Sequence, residues 1–173
     1  MKKKLILMTL TILTIMTLVG CSENTEKLTI EKESFNRKNF SIELYYPKDS
    51  NIEIKGDVIN KKEIVNTDQN YSIFIYLGED SSYEVTKANV SLYSDYQELT
   101  IGKDKFEAFS FCTHNTQVVT ILLEKSENAY RYVEISIEPN DYTIDYQTGS
   151  ELYNENKEIV SIINSIVYNS EID

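Results

Sequence analysis

The chain has 173 residues, with 28 acidic against 17 basic side chains and a formal net charge of −11. A surface of that sign repels nucleic acid and anionic lipid head groups, which argues against both as partners. The length supports one domain with a substantial core and is too short for two comfortable ones.

Lys2, Lys3 and Lys4 open the chain, and residues 5–19 follow without a charge, dominated by Leu, Ile, Met and Thr. Such a run fits the apolar region of a secretory signal peptide and falls short of the about 20 residues that a spanning helix needs. It closes in Leu18-Val19-Gly20-Cys21, which resembles the bacterial lipobox. The resemblance implies cleavage between Gly20 and Cys21, with acyl chains of the palmitate kind on Cys21. Two such chains make a stable anchor where one gives only marginal binding. The expected organisation is a signal peptide over 1–20, a lipidated cysteine and tether over 21–33, and one domain over 34–173. Without residues 1–20 the net charge is −14, which keeps a tethered domain soluble. With Cys21 acylated, Cys112 is the remaining thiol, so stability rests on packing and not on an intramolecular disulfide. Abundant Ile, Asn, Lys and Tyr without Trp resemble the bias of AT-rich Gram-positive genomes.

Polar residues 22–27 carry no pattern and read as a flexible tether. A first strand is expected over 28–35, then a turn, then FSIELYYP, in which Phe40, Ile42, Leu44 and Tyr46 share one face until Pro47 stops the strand. Further strands are expected over 58–65 and 71–77. In the second, Tyr71, Ile73, Ile75 and Leu77 oppose Phe74 and Tyr76, which suggests a sheet covered on both faces. Residues 78–95 read as poorly regular, with a short helix near 82–90 as the alternative, leading into a strand near 96–101. Strands over 105–113, 117–124 and 130–138 with short links predict an antiparallel meander. One long helix is expected from Glu151 to about Tyr168, with Leu152, Ile159, Ile162, Ile163 and Ile166 on one face and a capping box of Thr148 with Glu151.

Three stretches, FSIELYYP, GKDKFEAFSF and EIVSIINSIVY, resemble the PsbP-like fold in their order and pattern. The resemblance implies an α+β domain: an antiparallel sheet with a C-terminal helix packed on it and helices on both faces, after an N-terminal signal helix. PsbP-like domains share no catalytic set, so no functional residue follows from it.

Cys112-Thr113-His114 is the one place where two versatile side chains meet, but nothing in the sequence supplies the orienting group and oxyanion site that a nucleophile needs. The reading is a half-core cysteine and a turn histidine. A structural zinc site needs about four ligands, and the acids Glu138, Asp141 and Asp145 lack the EF-hand spacing. No metal, cofactor or catalytic residue is expected. Among thirteen tyrosines, Tyr130 and Tyr132 lie on the more polar face of their strand beside Glu134 and Ser136, and form the candidate docking face.

The function expected is a lipid-anchored extracytoplasmic lipoprotein of the cell membrane, a non-catalytic binding or accessory module for an envelope protein or small ligand. The alternatives are an envelope hydrolase using carboxylates, which needs a cleft where acids converge, and a small solute-binding lipoprotein.

Overall fold

The structure, a computed structural model, describes residues 24–34, 37–49, 51–102, 106–141 and 148–170. Gly20 and Cys21, the expected signal helix, and residues 142–147 with Tyr142, Asp145 and Tyr146 lie outside the described residues. In chain order the described elements are β1 (Thr25–Lys32), β2 (Phe40–Pro47), β3 (Ile52–Lys55), β4 (Lys61–Asn66), β5 (Tyr71–Asp80), α1 (Tyr83–Val90), β6 (Gln97–Ile101), β7 (Phe106–Thr113), β8 (Thr116–Lys125), β9 (Tyr130–Pro139), α2 (Gly149–Glu155), α3 (Lys157–Asn164) and β10 (Val167–Asn169).

The strands form two antiparallel sheets, of order β1-β2-β10 and β3-β4-β5-β9-β8-β7-β6. The large sheet is two meanders joined at its centre. The chain climbs from β3 to β5, crosses to the far edge, and returns through β6 to β9, which pairs with β5 over its whole length. The crossing carries α1. Residues Thr25–Lys32, inside the expected tether, pair with β2 and bury Ile30.

The core lies between the two sheets. From the small sheet come Ile30, Phe40, Ile42 and Leu44; from the large one come Ile64, Tyr71, Ile73, Ile75, Leu77, Val119, Ile121, Val133, Ile135 and Ile137. Each set is spaced by two along its strand, so the alternation that makes a strand legible also aims its apolar row. Leu152 of α2, Ile159, Ile162 and Ile163 of α3, and Ile166 complete the same core.

The PsbP-like α+β expectation is therefore overturned. The large sheet is covered chiefly by a second sheet, with two short helices beside it, and its opposite face carries α1 alone over one end among the described residues. The long C-terminal helix does not form. Asn156 takes an extended conformation (φ −88°, ψ 102°) and its side chain accepts from the backbone N–H groups of Glu158 and Ile159, ending α2 and starting α3. After Ser165 the chain straightens into β10, because the free edge of β2 accepts a strand there. All five expected aliphatics are nevertheless buried, since the broken path returns them to one core. The capping box forms as expected: Thr148 N–H donates to Glu151 at 2.6 Å and Glu151 N–H to Thr148 Oγ1 at 3.2 Å. In the middle of the chain, the alternative of a short helix near 82–90 is what forms, as α1, within the stretch favoured as irregular, whose first residues, 78–80, belong to β5.

Candidate functional site

The outward face of the large sheet is the surface of greatest interest. Its alternate residues are Ser72, Phe74, Tyr76 and Gly78 on β5 and Tyr132, Glu134, Ser136 and Glu138 on β9. The register sets Phe74 beside Ser136, Tyr76 beside Glu134 and Gly78 beside Tyr132. Gly78 decides the arrangement. A Cβ there would stand 2.3 Å from Tyr132 Cζ, so the missing side chain lets the Tyr132 ring lie across the neighbouring strand. Tyr76 then meets Tyr132 edge to face, with centroids 6.3 Å apart and planes at 61°.

The two halves of this face differ. Toward β7, α1 lays Tyr83 and Val90 on Phe109 and Leu122, with Tyr96, Phe111, Tyr130 and Tyr132 packed around them. Toward β4 no element among the described residues covers the sheet. There a half-open groove of about 360 Å³ is lined by Lys61, Phe74, Tyr76, Glu134, Ser136 and Glu138, among others. Tyr76 is 36% exposed. Glu134 is exposed and takes part in no hydrogen bond or ion pair among the described residues. Burial first, then the neighbouring Tyr76, Glu134 and Asp80, push the Tyr132 hydroxyl up to about 12, so its ring stays neutral in a negative setting.

The two tyrosines expected as a docking face thus part company. Tyr130 packs under α1 against Tyr83 at 5.6 Å, with Lys125 6.0 Å from its ring. Tyr132 stands at the border between covered and open halves. Sequence reasoning missed Phe74 and Tyr76 as surface-formers, because it took apolar residues on both faces to mean two covered faces. The available signal was Gly78, a glycine at the end of an alternating strand, which marks a close approach from next door.

The other candidates resolve into structure. Cys112 is half-buried on β7, and burial and then Asp95 push its thiol up, away from the thiolate that nucleophilic chemistry needs. His114 and Asn115 form the two-residue β7–β8 turn with φ of 54° and 100°, the positive values that so tight a hairpin demands. Among the described residues no three His, Cys, Asp or Glu side chains gather as a metal site. Glu26, Asp80 and Glu107 are held below the ordinary carboxyl range chiefly by hydrogen bonds from Tyr46, Ser82 and Lys87 respectively. That favours an ionised acceptor and not the proton donor of a carboxylate pair.

Two polar clusters are deeper. The Arg131 side chain is 3% exposed and donates to Glu79 (3.2 Å), Glu124 (3.0 Å), the Tyr168 hydroxyl (3.0 Å) and the Lys38 carbonyl (2.6 Å), while its guanidinium lies 4.7 Å from the Phe40 ring centroid. It ties β9 to β5, β8, β10 and the segment before β2. Glu158 accepts from Tyr71, from Asn66 (2.9 Å) and from Gln69 (3.1 Å). An open groove of about 560 Å³ runs past Glu158 between α2 and α3. Its carboxylate is already engaged in holding α3 to β5, so it reads as a fastening.

No protein-family model matches this chain, and no curated protein or solved structure is significantly similar to it.

Proposed function

We propose that this protein is a membrane-anchored lipoprotein of the cell envelope, lipidated at Cys21, whose domain is a non-catalytic docking module for another envelope component. The anchor rests on the basic start, the uncharged run over 5–19 and Leu18-Val19-Gly20-Cys21. The docking reading rests on one observation: half of the outward sheet face is open and built of aromatic rings and carboxylates, with Tyr132 laid over Gly78 and Tyr76 set against it. Rings that combine an apolar body with a polar tip suit a surface that must be wet when free and buried when bound.

The test is crosslinking in intact cells with a C-terminal tag, comparing the natural chain with Cys21→Ala. The expected result is one partner captured with the natural chain and lost with Cys21→Ala, and a fatty-acid label that disappears in the variant. Capture of nothing by an abundant, labelled protein overturns the docking reading. A label that persists in Cys21→Ala overturns the anchor.

A further inference from the structure

We infer that the open half of the outward face takes an extended Lys- or Arg-bearing segment of a protein partner, with a basic side chain over the Tyr76–Tyr132 pair and its charge against Glu134. This rests on the docking reading above and adds the chemistry of the partner.

Three observations converge on it. The first is the platform. Gly78 lets the Tyr132 ring lie across β5 and Tyr76 meets it edge to face, so the pair is held in a set position. Aromatic faces are electrostatically negative and attract an ammonium or guanidinium within about 6 Å. The second is the charge around it. Glu134 pairs with Tyr76 across the strands, and Glu63 pairs with Phe74. Glu138 lines the same groove, where Lys61 is the one cation among the described residues. A neutral or anionic partner would leave Glu134 desolvated and unmatched, which is costly, whereas a cation supplies its counter-charge. The net charge of −14 that remains without residues 1–20 draws a basic partner in from a distance.

The third is shape. The groove crosses β4, β5, β9 and β8 and is only half enclosed, bounded at its β8 end by Thr116. Three interstrand steps of about 4.8 Å span about 14 Å, the reach of roughly four extended residues. That matches a short stretch of peptide lying across the strands, with Ser136 and Thr116 offering hydroxyls to its backbone. A small free cation would leave most of the groove in water.

The experiment is a titration of full-length protein in detergent into fluorescein-labelled, end-capped hexalysine and hexaarginine peptides, read by anisotropy at physiological salt. Tyr76→Ala is expected to weaken binding about fivefold to tenfold, in line with a partly desolvated cation–π contact, and Glu134→Gln up to about fivefold, as loss of an exposed ion pair does. Tyr76→Phe, which keeps the ring, should bind as the natural chain does. Glu31→Gln, an exposed acid on β1 of the small sheet, removes the same charge elsewhere and should leave binding unchanged. Equal losses in Glu134→Gln and Glu31→Gln would mean diffuse charge attraction and overturn the site. An unaffected Tyr76→Ala overturns the platform, and choline competing at the peptide's own concentrations overturns the peptide assignment. A photo-crosslinker at position 74 in cells separates the two readings. Capture of a partner through a segment without Lys or Arg overturns this inference and leaves the docking module standing, while capture of nothing removes the module itself.

Discussion

Arg131 shows how one side chain can be spent on architecture. Its guanidinium is nearly sealed from solvent, yet its donors reach two carboxylates, a tyrosine hydroxyl and a main-chain carbonyl, so no charge is left unmatched. Removing it strands Glu79 and Glu124 in a partly buried setting. We expect Arg131→Met to lower stability by about 3–5 kcal/mol, the range for breaking a buried pair, read as a shift of the urea midpoint without loss of the native fold at low temperature. Burial pushes the Tyr168 hydroxyl up to about 12, with Glu124 adding to the effect, so this network keeps its phenol through the neutral range. Gly149 is the second residue of consequence. A Cβ there would stand 2.2 Å from the Ile137 carbonyl oxygen and 2.3 Å from the Gln117 nitrogen, both main-chain atoms that cannot swing aside. Gly149→Ala is therefore expected to cost at least about 2 kcal/mol in the same assay, as overpacking does, whereas Ser150→Ala next to it should be close to neutral.

At the scale of elements, α1 and the α2–α3 pair are attached by different physics. The second pair is anchored by aliphatic burial, with Ile159, Ile162 and Ile163 contributing roughly 1.5–3 kcal/mol each, and by Asn156 as the shared cap. Asn156→Ala should cost about 1 kcal/mol and show as faster amide exchange in α3, while the strands keep their protection. Helix α1 buries only Tyr83 and Val90, and ion pairs supplement them: Lys87 with Glu98 and Glu107, and Lys125 with Glu84 and Glu107. The hydrogen bond from Lys87 holds Glu107 below its ordinary range, and the same bond holds Lys87 above its own. A lowered carboxyl contributes stability above its unfolded value and loses it as pH falls through the folded one. A raised lysine contributes below its unfolded value and loses it as pH rises through the folded one. Protection factors of residues 83–90 should therefore be level through neutrality and drop below about pH 4, the carboxyl range, and also in molar salt. Those of β5 and β9 should hold under both conditions.

The whole molecule depends on its C-terminal strand in a way its length does not suggest. Although only three residues long, β10 closes the edge of β2, and its Tyr168 packs on Phe40 at 6.2 Å while bonding Arg131 and Glu124. Ending the chain after Asn164 removes Ile166 from the core as well. We expect that truncation to abolish cooperative thermal unfolding, followed by near-ultraviolet circular dichroism of the tyrosines, since the small sheet would lose one of its three strands. Removing 170–173 alone should leave the transition in place.

Most strands were legible from the residues because a half-buried strand writes its own period: Phe40, Ile42 and Leu44, or Tyr71, Ile73, Ile75 and Leu77, alternate with polar or less buried neighbours, and those rows are the core. The Thr148–Glu151 cap and the His114 turn were equally local, each set by contacts within a few residues. What covers each face was not local. The same apolar row on FSIELYYP accepts a helix or a second sheet, and only the free edge of β2 decided that the chain after Ser165 would extend instead of continuing a helix. Asn156 sits within an otherwise helical pattern, and the break there is held from across the molecule by Gln69, which accepts from Asn156 and donates to Glu158. The open platform of Tyr76 and Tyr132 came from pairing Gly78 with Tyr132, a register between strands some fifty positions apart. Short-range sterics and periodicity are written in neighbouring residues; partners across a sheet are chosen by the free energy of the whole fold.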